Sequence, residues 1–206
     1  VTFINLLNII NYMPKGYLDE NIKYKAIKNF AKGVHLIFDK DSRVHTVFKK
    51  IQNHVYQFSL TKQDPFISEP DRVAFRIHML IRYNKRITIG KKIKIPIDIS
   101  LIHNSIEGED YDAWFISELG GIKSIAKTYN LKIIKVNKNQ LNFNITLEAP
   151  IEIFEGSSFL GIFKKGKTIK VPETQYERVL NEAIFAKIEE LKPFFQALLA
   201  LYIERA

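Results

Sequence analysis

The sequence predicts an α+β protein that is mainly helical and carries small antiparallel β-hairpins or sheets. Apolar residues recur at three and four positions over long parts of the chain, which is the spacing of helices that pack on a core. Two shorter parts have the pattern of hairpins, in which β-prone runs flank a turn that contains glycine. With 206 residues, 46% of them hydrophobic, the chain is long enough to bury a core of its own.

These patterns divide the chain into two parts, which we expect to form one continuous structural unit. Residues 1–140 are predicted to be a mixed helical region with a β-hairpin near 86–97. Residues 141–206 are predicted to form a second hairpin followed by C-terminal helices.

Residues 1–58 have helical spacing. A first helix is predicted before the break at 13–16, and Asp19 offers an N-cap for a second one. The apolar residues of the second helix are Ile22, Tyr24, Ile27 and Phe30. A third helix is expected after residues 41–42, and its apolar residues are Val44, Val47, Phe48 and Ile51.

The middle of the chain combines strands with a helix. Residues 86–89 and 92–97 alternate basic residues with isoleucine around Gly90 and Lys91, which predicts a hairpin with one basic, solvent-facing side. Residues 110–130 return to helical spacing. Residues 132–136 and 141–147 alternate like strands around a turn at 137–139.

The C-terminal part begins with the second hairpin. Its turn is predicted at 163–167, where Gly166 supplies the positive φ that a tight turn requires. Pro172 suits the first turn of a helix whose apolar stripe runs from Tyr176 to Leu191. Pro193 is expected to separate that helix from an apolar run at 194–203, part of which would stay exposed as an interface.

The composition favours a polyanionic partner. The formal net charge is +9 and the pI is near 9.5, with lysine the dominant base, and excess lysine neutralises phosphate well. The sequence has no cysteine, which excludes disulfides and thiolate metal sites. No apolar run reaches the roughly 18 residues of a membrane span. We therefore expect an intracellular protein, cytoplasmic in a prokaryote, with no membrane partner.

The two hairpins carry the candidate nucleic-acid-binding residues. Those of the first hairpin are Lys91 and Lys92, and those of the second are Lys164, Lys165, Lys167 and Lys170. Lysines near aromatic side chains hold a nucleic-acid backbone without reading its sequence. The alternative is that these lysines line exposed strand edges and prevent strands of different molecules from pairing.

Catalytic residues are not expected. Asp110 and Asp112 are spaced to hold Mg²⁺ for nucleotidyl transfer, but acids at the start of a helix also favour its dipole. The phosphate-loop, nucleophile-elbow and zinc-protease motifs are all absent from the sequence. A nucleic-acid-acting enzyme that uses Asp110 and Asp112 stays an open alternative.

Residues 141–191 place a strand, an apolar segment, a hairpin and a helix in one order. The residues that define this order are Ile153, Phe154, Gly156, Gly166, Val171, Pro172, Leu180, Asn181, Glu182, Ala186, Lys187 and Ile188. In this respect the segment resembles the N-terminal domain of the archaeal and eukaryotic DNA primase large subunit. In that family a strand leads to an apolar segment, a hairpin that ends in valine or leucine and proline, and a helix with a leucine, asparagine, glutamate and lysine pattern.

The resemblance implies a non-catalytic subunit that binds the catalytic primase subunit as a heterodimer and helps to position it for RNA primer synthesis in DNA replication. It also implies weak contact with DNA or an RNA–DNA hybrid. The family's iron–sulfur domain uses four cysteines, so we expect no cofactor in this chain. Residues 161–190 are also similar to the small β-domain of the GINS replication complex, which implies a protein-interaction module instead.

Overall fold

A computed structural model describes residues 18–63, 73–83, 87–104, 111–129, 131–137, 140–159 and 163–204. These residues form three α-helices, one 3₁₀ turn and nine β-strands. In chain order the elements are α1 (Glu20–Asp39), β1 (His45–Gln52), β2 (Val55–Gln63), β3 (Val73–Tyr83), β4 (Thr88–Ile89), β5 (Lys92–Asn104), α2 (Tyr111–Thr128), β6 (Ile133–Asn137), β7 (Gln140–Pro150), β8 (Glu152–Phe159), β9 (Phe163–Lys170), the 3₁₀ turn (Glu173–Gln175) and α3 (Tyr176–Glu204).

A seven-stranded antiparallel sheet dominates the fold. Its strand order is β1-β2-β3-β5-β7-β6, and β4 pairs with β5 as well. Strands β8 and β9 form a separate two-stranded sheet. The protein is α+β as predicted, but the prediction that it is mainly helical with only small sheets is wrong.

The third predicted helix is strand β1, which accounts for part of this error. Val44, Val47, Phe48 and Ile51 fit a helical spacing, yet residues 45–52 pair with β2 along their length. Val47 and Ile51 are exposed, whereas a helix would have buried them. The pairing with β2 overrides the local spacing, as is common for short apolar runs. The first predicted helix lies outside the described residues.

Three other predictions are confirmed. Asp19 caps α1, because its carboxylate accepts hydrogen bonds from the backbone N–H groups of Asn21 at 2.8 Å and Ile22 at 3.3 Å. Strands β4 and β5 form the predicted hairpin around Gly90 and Lys91. Strands β6 and β7 pair as the alternation at 132–147 predicted.

Pro96 lies in the middle of strand β5, where proline is unusual because it cannot donate a hydrogen bond to a neighbouring strand. Pairing of β5 with β3 ends at Ile97, and pairing with β4 begins at Lys94. Pro96 is therefore opposite the break between β3 and β4.

All the described helices lie on one face of the large sheet. Phe38 of α1 contacts Phe58 of β2, with ring centroids 5.3 Å apart, and Phe194 of α3 contacts Phe143 of β7 at 5.4 Å. Helix α2 contributes Ile122 to the same buried cluster. Strands β5 and β6 both run antiparallel to β7, so they are parallel to each other and α2 is the crossover between them.

The inward face of the sheet is continuously apolar. One row runs across five strands and consists of Phe48, Phe58, Met79, Leu101 and Leu141. On β5 alone, the inward residues Ile93, Ile95, Ile97, Ile99 and Leu101 are all at most 1% exposed. Fully burying one such side chain contributes about 1.5–3 kcal/mol, so this face supplies much of the stability.

Helices α1 and α3 pack side by side and run in the same direction. Three contacts follow one another along the pair, between Lys25 and Glu177, Asn29 and Asn181, and Gly33 and Ile188. The helices approach closely at Gly33, where an added Cβ would lie 2.1 Å from Cδ1 of Ile188.

The C-terminal apolar run continues α3 and does not form a separate exposed helix. Pro193 lies inside α3, and the four residues that dominate the run are buried: Phe194, Phe195, Leu198 and Leu199. A proline within a helix costs about 3 kcal/mol. Burial of four large apolar side chains at about 1.5–3 kcal/mol each outweighs that cost, so the helix continues past the proline.

The second hairpin is present, but the prediction of its turn at 163–167 is wrong. Residues 163–170 form β9, in which Gly166 is opposite Gly156 of β8. Phe159 pairs with Phe163, so the connection is made by residues 160–162, outside the described residues. Gly156 and Gly166 are therefore strand positions in this hairpin. Among the described helices, none is long and apolar enough to cross a membrane.

We predict that Gly33→Val destabilises the protein, because the added side chain forces the Ile188 side chain out of its position between α1 and α3. The melting temperature should fall by several degrees, as about 1–3 kcal/mol of overpacking would cause in a domain of this size. Lys32→Val is the matched control, because Lys32 is exposed on the same helix and takes the same new residue. Equal melting temperatures for the two variants would contradict the close approach.

His35 links α1 to β1 and makes stability depend on pH. Its Nε2 lies 3.1 Å from Oγ1 of Thr46, and its ring contacts Phe48 and Phe58. Burial lowers the pKa of His35, and the nearby Asp39 carboxylate opposes this effect. The folded protein therefore favours the neutral imidazole.

Because the unfolded state binds the proton more readily, stability due to His35 is present above about pH 6.5 and is lost as pH falls below it. We predict a lower melting temperature at about pH 5.5 than at about pH 7.5. Most carboxylates have pKa values below this pH range, so they contribute little to the difference. His35→Gln should reduce this difference, and His45→Gln, at an exposed position, should not. An unchanged difference in His35→Gln would contradict the assignment.

Candidate nucleic-acid interface

In strand β7, the face of the large sheet that points away from the helices is polar. In β7 the inward residues Leu141, Phe143, Ile145, Leu147 and Ala149 are buried. They alternate with Asn142, Asn144, Thr146 and Glu148, which point to the other face. No helix in the described part of the chain covers that face, which we call the open face.

A hydrogen-bonded cluster lies near the middle of the open face. Nε2 of Gln57 and Oγ of Ser59, both on β2, each lie 2.8 Å from Nδ1 of His78 on β3. The cluster therefore holds the His78 ring in a fixed orientation between two residues of β2.

A group of charged residues lies at the end of the open face near the β4–β5 hairpin. Nζ of Lys92 and Nζ of Lys94 lie 2.8 Å and 3.0 Å from the carboxylate oxygens of Glu148. Hydrogen bonds from Lys92 and then Lys94 hold the pKa of Glu148 below its usual value. Two cations share one carboxylate, so a positive charge remains at this position.

The same end of the molecule also receives the base of the β8–β9 hairpin. The backbone N–H of Ile151 donates to the carbonyl of Lys91 at 3.0 Å, and the N–H of Val171 donates to the carbonyl of Ile151 at 2.7 Å. Lys170 precedes Val171, so the structure brings it close to Lys91 and Lys92, which are far from it in sequence. We call this end, with Lys91, Lys92, Lys94 and Lys170, the basic end.

The remaining predicted lysines are in β9. Lys167 and Lys170 are exposed, and they pair in register with Glu155 and Glu152 of β8. Lys164 and Lys165 belong to the same strand, but their side chains lie outside the described residues. The acids opposite β9 reduce the positive charge of this hairpin, so the basic end is centred on the β4–β5 hairpin.

The β4–β5 hairpin encloses a shallow hollow of about 350 Å³. Its lining consists of Thr88, Ile89, Gly90, Lys91, Lys92 and Lys94. Three ammonium groups around an open hollow can contact the oxygens of a phosphate, and water retains access to each of them. Such a site binds a charged backbone more readily than a buried small molecule.

The acidic pair considered for metal binding is only partly described. Asp112 lies in the first turn of α2, where a carboxylate favours the helix dipole. Asp110 and the side chain of Asp112 are outside the described residues. Within the described part of the chain, no group of three or more potential ligands is placed to hold a metal ion.

The cluster of Gln57, Ser59 and His78 was missed in the sequence. Residues up to 58 were predicted to be helical, which placed Gln57 on a helix and hid its relation to Ser59. The signal was present in residues 55–61, where Tyr56, Phe58 and Leu60 alternate with polar residues. Strand pairing then brings His78 directly opposite Ser59.

Four of the residues that carry the resemblance to the primase large subunit have structural partners in this fold. Val171 and Leu180 are buried in the core, and Oδ1 of Asn181 accepts a hydrogen bond from Nδ2 of Asn29 at 3.1 Å. Ile188 packs against Gly33. Comparison with protein-family models, curated proteins and solved structures finds no match to the chain.

Proposed function

We propose that the protein is a non-catalytic nucleic-acid-binding protein that holds the sugar–phosphate backbone at its basic end. The observation that carries this proposal is the one-sided sheet. Helices cover one face, and one end of the open face carries Lys92, Lys94 and the turn that contains Lys91. The net charge of +9 favours a polyanion over the whole surface and speeds its approach.

The existing ion pairs do not prevent phosphate from binding. Lys92 and Lys94 have side chains 51% and 49% exposed, and Glu148 is also accessible to solvent. Such surface pairs contribute about 0–1 kcal/mol each. Release of counterions from a nucleic acid supplies more than this for several phosphate contacts, so the lysines can exchange one anion for another.

Protection of a strand edge is a weaker explanation for these lysines. Lys94 is on β5, where it is paired with Thr88 of β4 on one side and Glu148 of β7 on the other. A lysine that blocks edge-to-edge pairing belongs on an edge strand. Lys49 and Lys50 of the edge strand β1 suit that role better.

Lysine contacts with phosphate give binding without sequence specificity. We predict that Lys91→Gln, Lys92→Gln and Lys94→Gln together flatten the dependence of log affinity on log salt by about 2 for a single strand, if all three contact phosphate. Fluorescence anisotropy of a labelled oligonucleotide at several salt concentrations measures this slope. Affinity should also fall because Glu148 loses both cations and repels the ligand.

The control variant replaces Lys28, Lys32 and Lys123 with glutamine. These lysines are exposed on α1 and α2, on the helical side of the molecule, and their loss changes the net charge by the same amount. If the salt dependence of affinity has the same slope in the two triple variants, binding is due only to non-specific attraction by the net charge. Absence of binding by the unaltered protein at low salt would overturn the proposed function.

A role as the non-catalytic subunit of a DNA primase is the second candidate. One observation favours it: residues 140–204 contain a strand, a hairpin and a helix in the order that the resemblance implies. The large antiparallel sheet departs from the mainly helical fold that the resemblance led us to expect. In this role the protein would bind the catalytic primase subunit and help to position it.

We predict that, in this second role, an immobilised catalytic primase subunit from the same organism retains the protein. It should also retain the variant in which Lys91, Lys92 and Lys94 are replaced with glutamine. Helix α3 lies on the side of the sheet opposite to the open face, so protein binding through its exposed surface should survive that change. Retention by GINS subunits instead would favour the interaction-module alternative. Retention by neither would leave nucleic-acid binding as an independent function.

A further inference from the structure

Polar groups on the open face extend beyond the lysines that would contact phosphate. Asn144 of β7 is exposed and lies directly opposite Asp98 of β5. Asp98 in turn lies opposite Arg82 of β3, and Nε of Arg82 is 3.8 Å from its Oδ2. Arg82, Asp98 and Asn144 therefore form one row across three adjacent strands, which we call the polar row.

The polar row combines three kinds of hydrogen-bonding group in a short distance. The guanidinium of Arg82 only donates, the carboxylate of Asp98 only accepts, and the amide of Asn144 does both. Adjacent strands are about 4.8 Å apart, so the row is about 10 Å wide between its outer strands. The edge of a single nucleobase is narrower than the row, so two neighbouring groups of the row suffice to contact one base.

We propose that the polar row contacts the edge of an unpaired base, so that the ligand of the open face is a single strand. This inference rests on the proposed nucleic-acid binding. In a duplex the pairing edges of the bases are occupied, and their groove edges are reached by an inserted helix or β-ribbon. A broad sheet face enters a groove only where the duplex is kinked and partly unstacked, whereas the splayed bases of a single strand can lie on it without that cost.

The polar row and the basic end are placed for one strand to use both. Asp98 lies four residues from Lys94 along β5, which is about 13 Å in an extended strand. Ligands of a few nucleotides cover such a distance on known single-strand-binding surfaces. The backbone would lie at Lys92 and Lys94, and a base further along the strand would reach Asn144.

The test replaces Asn144 with leucine, which removes the amide and keeps a similar size. Affinities are measured by fluorescence anisotropy for a mixed-sequence single strand and for the duplex of the same sequence. We expect the unaltered protein to bind the single strand more tightly than the duplex. Asn144→Leu should lower the affinity for the single strand about tenfold, as the loss of one good base contact would. The slope against salt should not change, because no phosphate contact is lost.

Asn21→Leu is the matched control, because Asn21 is exposed on α1 at the helical side. Asn144→Ala should reproduce the loss without added bulk, and melting curves verify that each variant is folded. The inference is overturned if the unaltered protein binds the single strand and the duplex equally well. It is also overturned if both Asn144 variants bind the single strand as tightly as the unaltered protein does. If the inference fails but the triple lysine variant still has the flatter salt slope, the proposed function stands without the base contact.

Discussion

One-sided burial of the large sheet is the constraint on which the rest of the structure depends. Strands β5 and β7 place aliphatic or aromatic residues at every second position, and these residues are almost completely buried. Because side chains alternate across a strand, this burial fixes the register and sends every intervening residue to the opposite face. The helices, the polar face and the basic end all follow from that arrangement.

The helices can be regarded as the cover that this apolar face requires. Helices α1 and α3 carry the aromatic contacts to β2 and β7, and α2 extends the cover as the crossover from β5 to β6. Continuation of α3 through Pro193 follows from the same need, because the residues beyond the proline complete the core. Polar residues collect on the other face because no helix in the described part of the chain needs to bury them.

The parts of the fold that could be predicted are those with an unambiguous local signal. Asp19 caps a helix through its own side chain, and residues 86–97 alternate strictly enough to specify a hairpin. Strand β1 could not be predicted this way, because its apolar residues have helical spacing and only pairing with β2 makes the segment a strand. The second hairpin shows the same limit, since Gly166 is equally compatible with a turn and with a strand opposite Gly156.

Some candidate site residues could be identified from local sequence, and others depend on tertiary pairing. The lysines of the β4–β5 hairpin could be identified from their spacing, because the turn and both strands are adjacent in sequence. The polar row could not, because Arg82, Asp98 and Asn144 come from three strands whose order follows from tertiary pairing. The proximity of Lys170 to Lys91 likewise depends on two backbone hydrogen bonds through Ile151 that have no local sequence signal.

The side-by-side packing of α1 and α3 has a consequence for how the protein folds. The hydrogen-bonded pairs between these helices join residues 152 positions apart in sequence. Contacts this distant form late, because a large loop must close before they contribute any free energy. During synthesis, the side of α1 that packs on α3 therefore stays uncovered until α3 has left the ribosome, a period in which a chaperone can compete with aggregation.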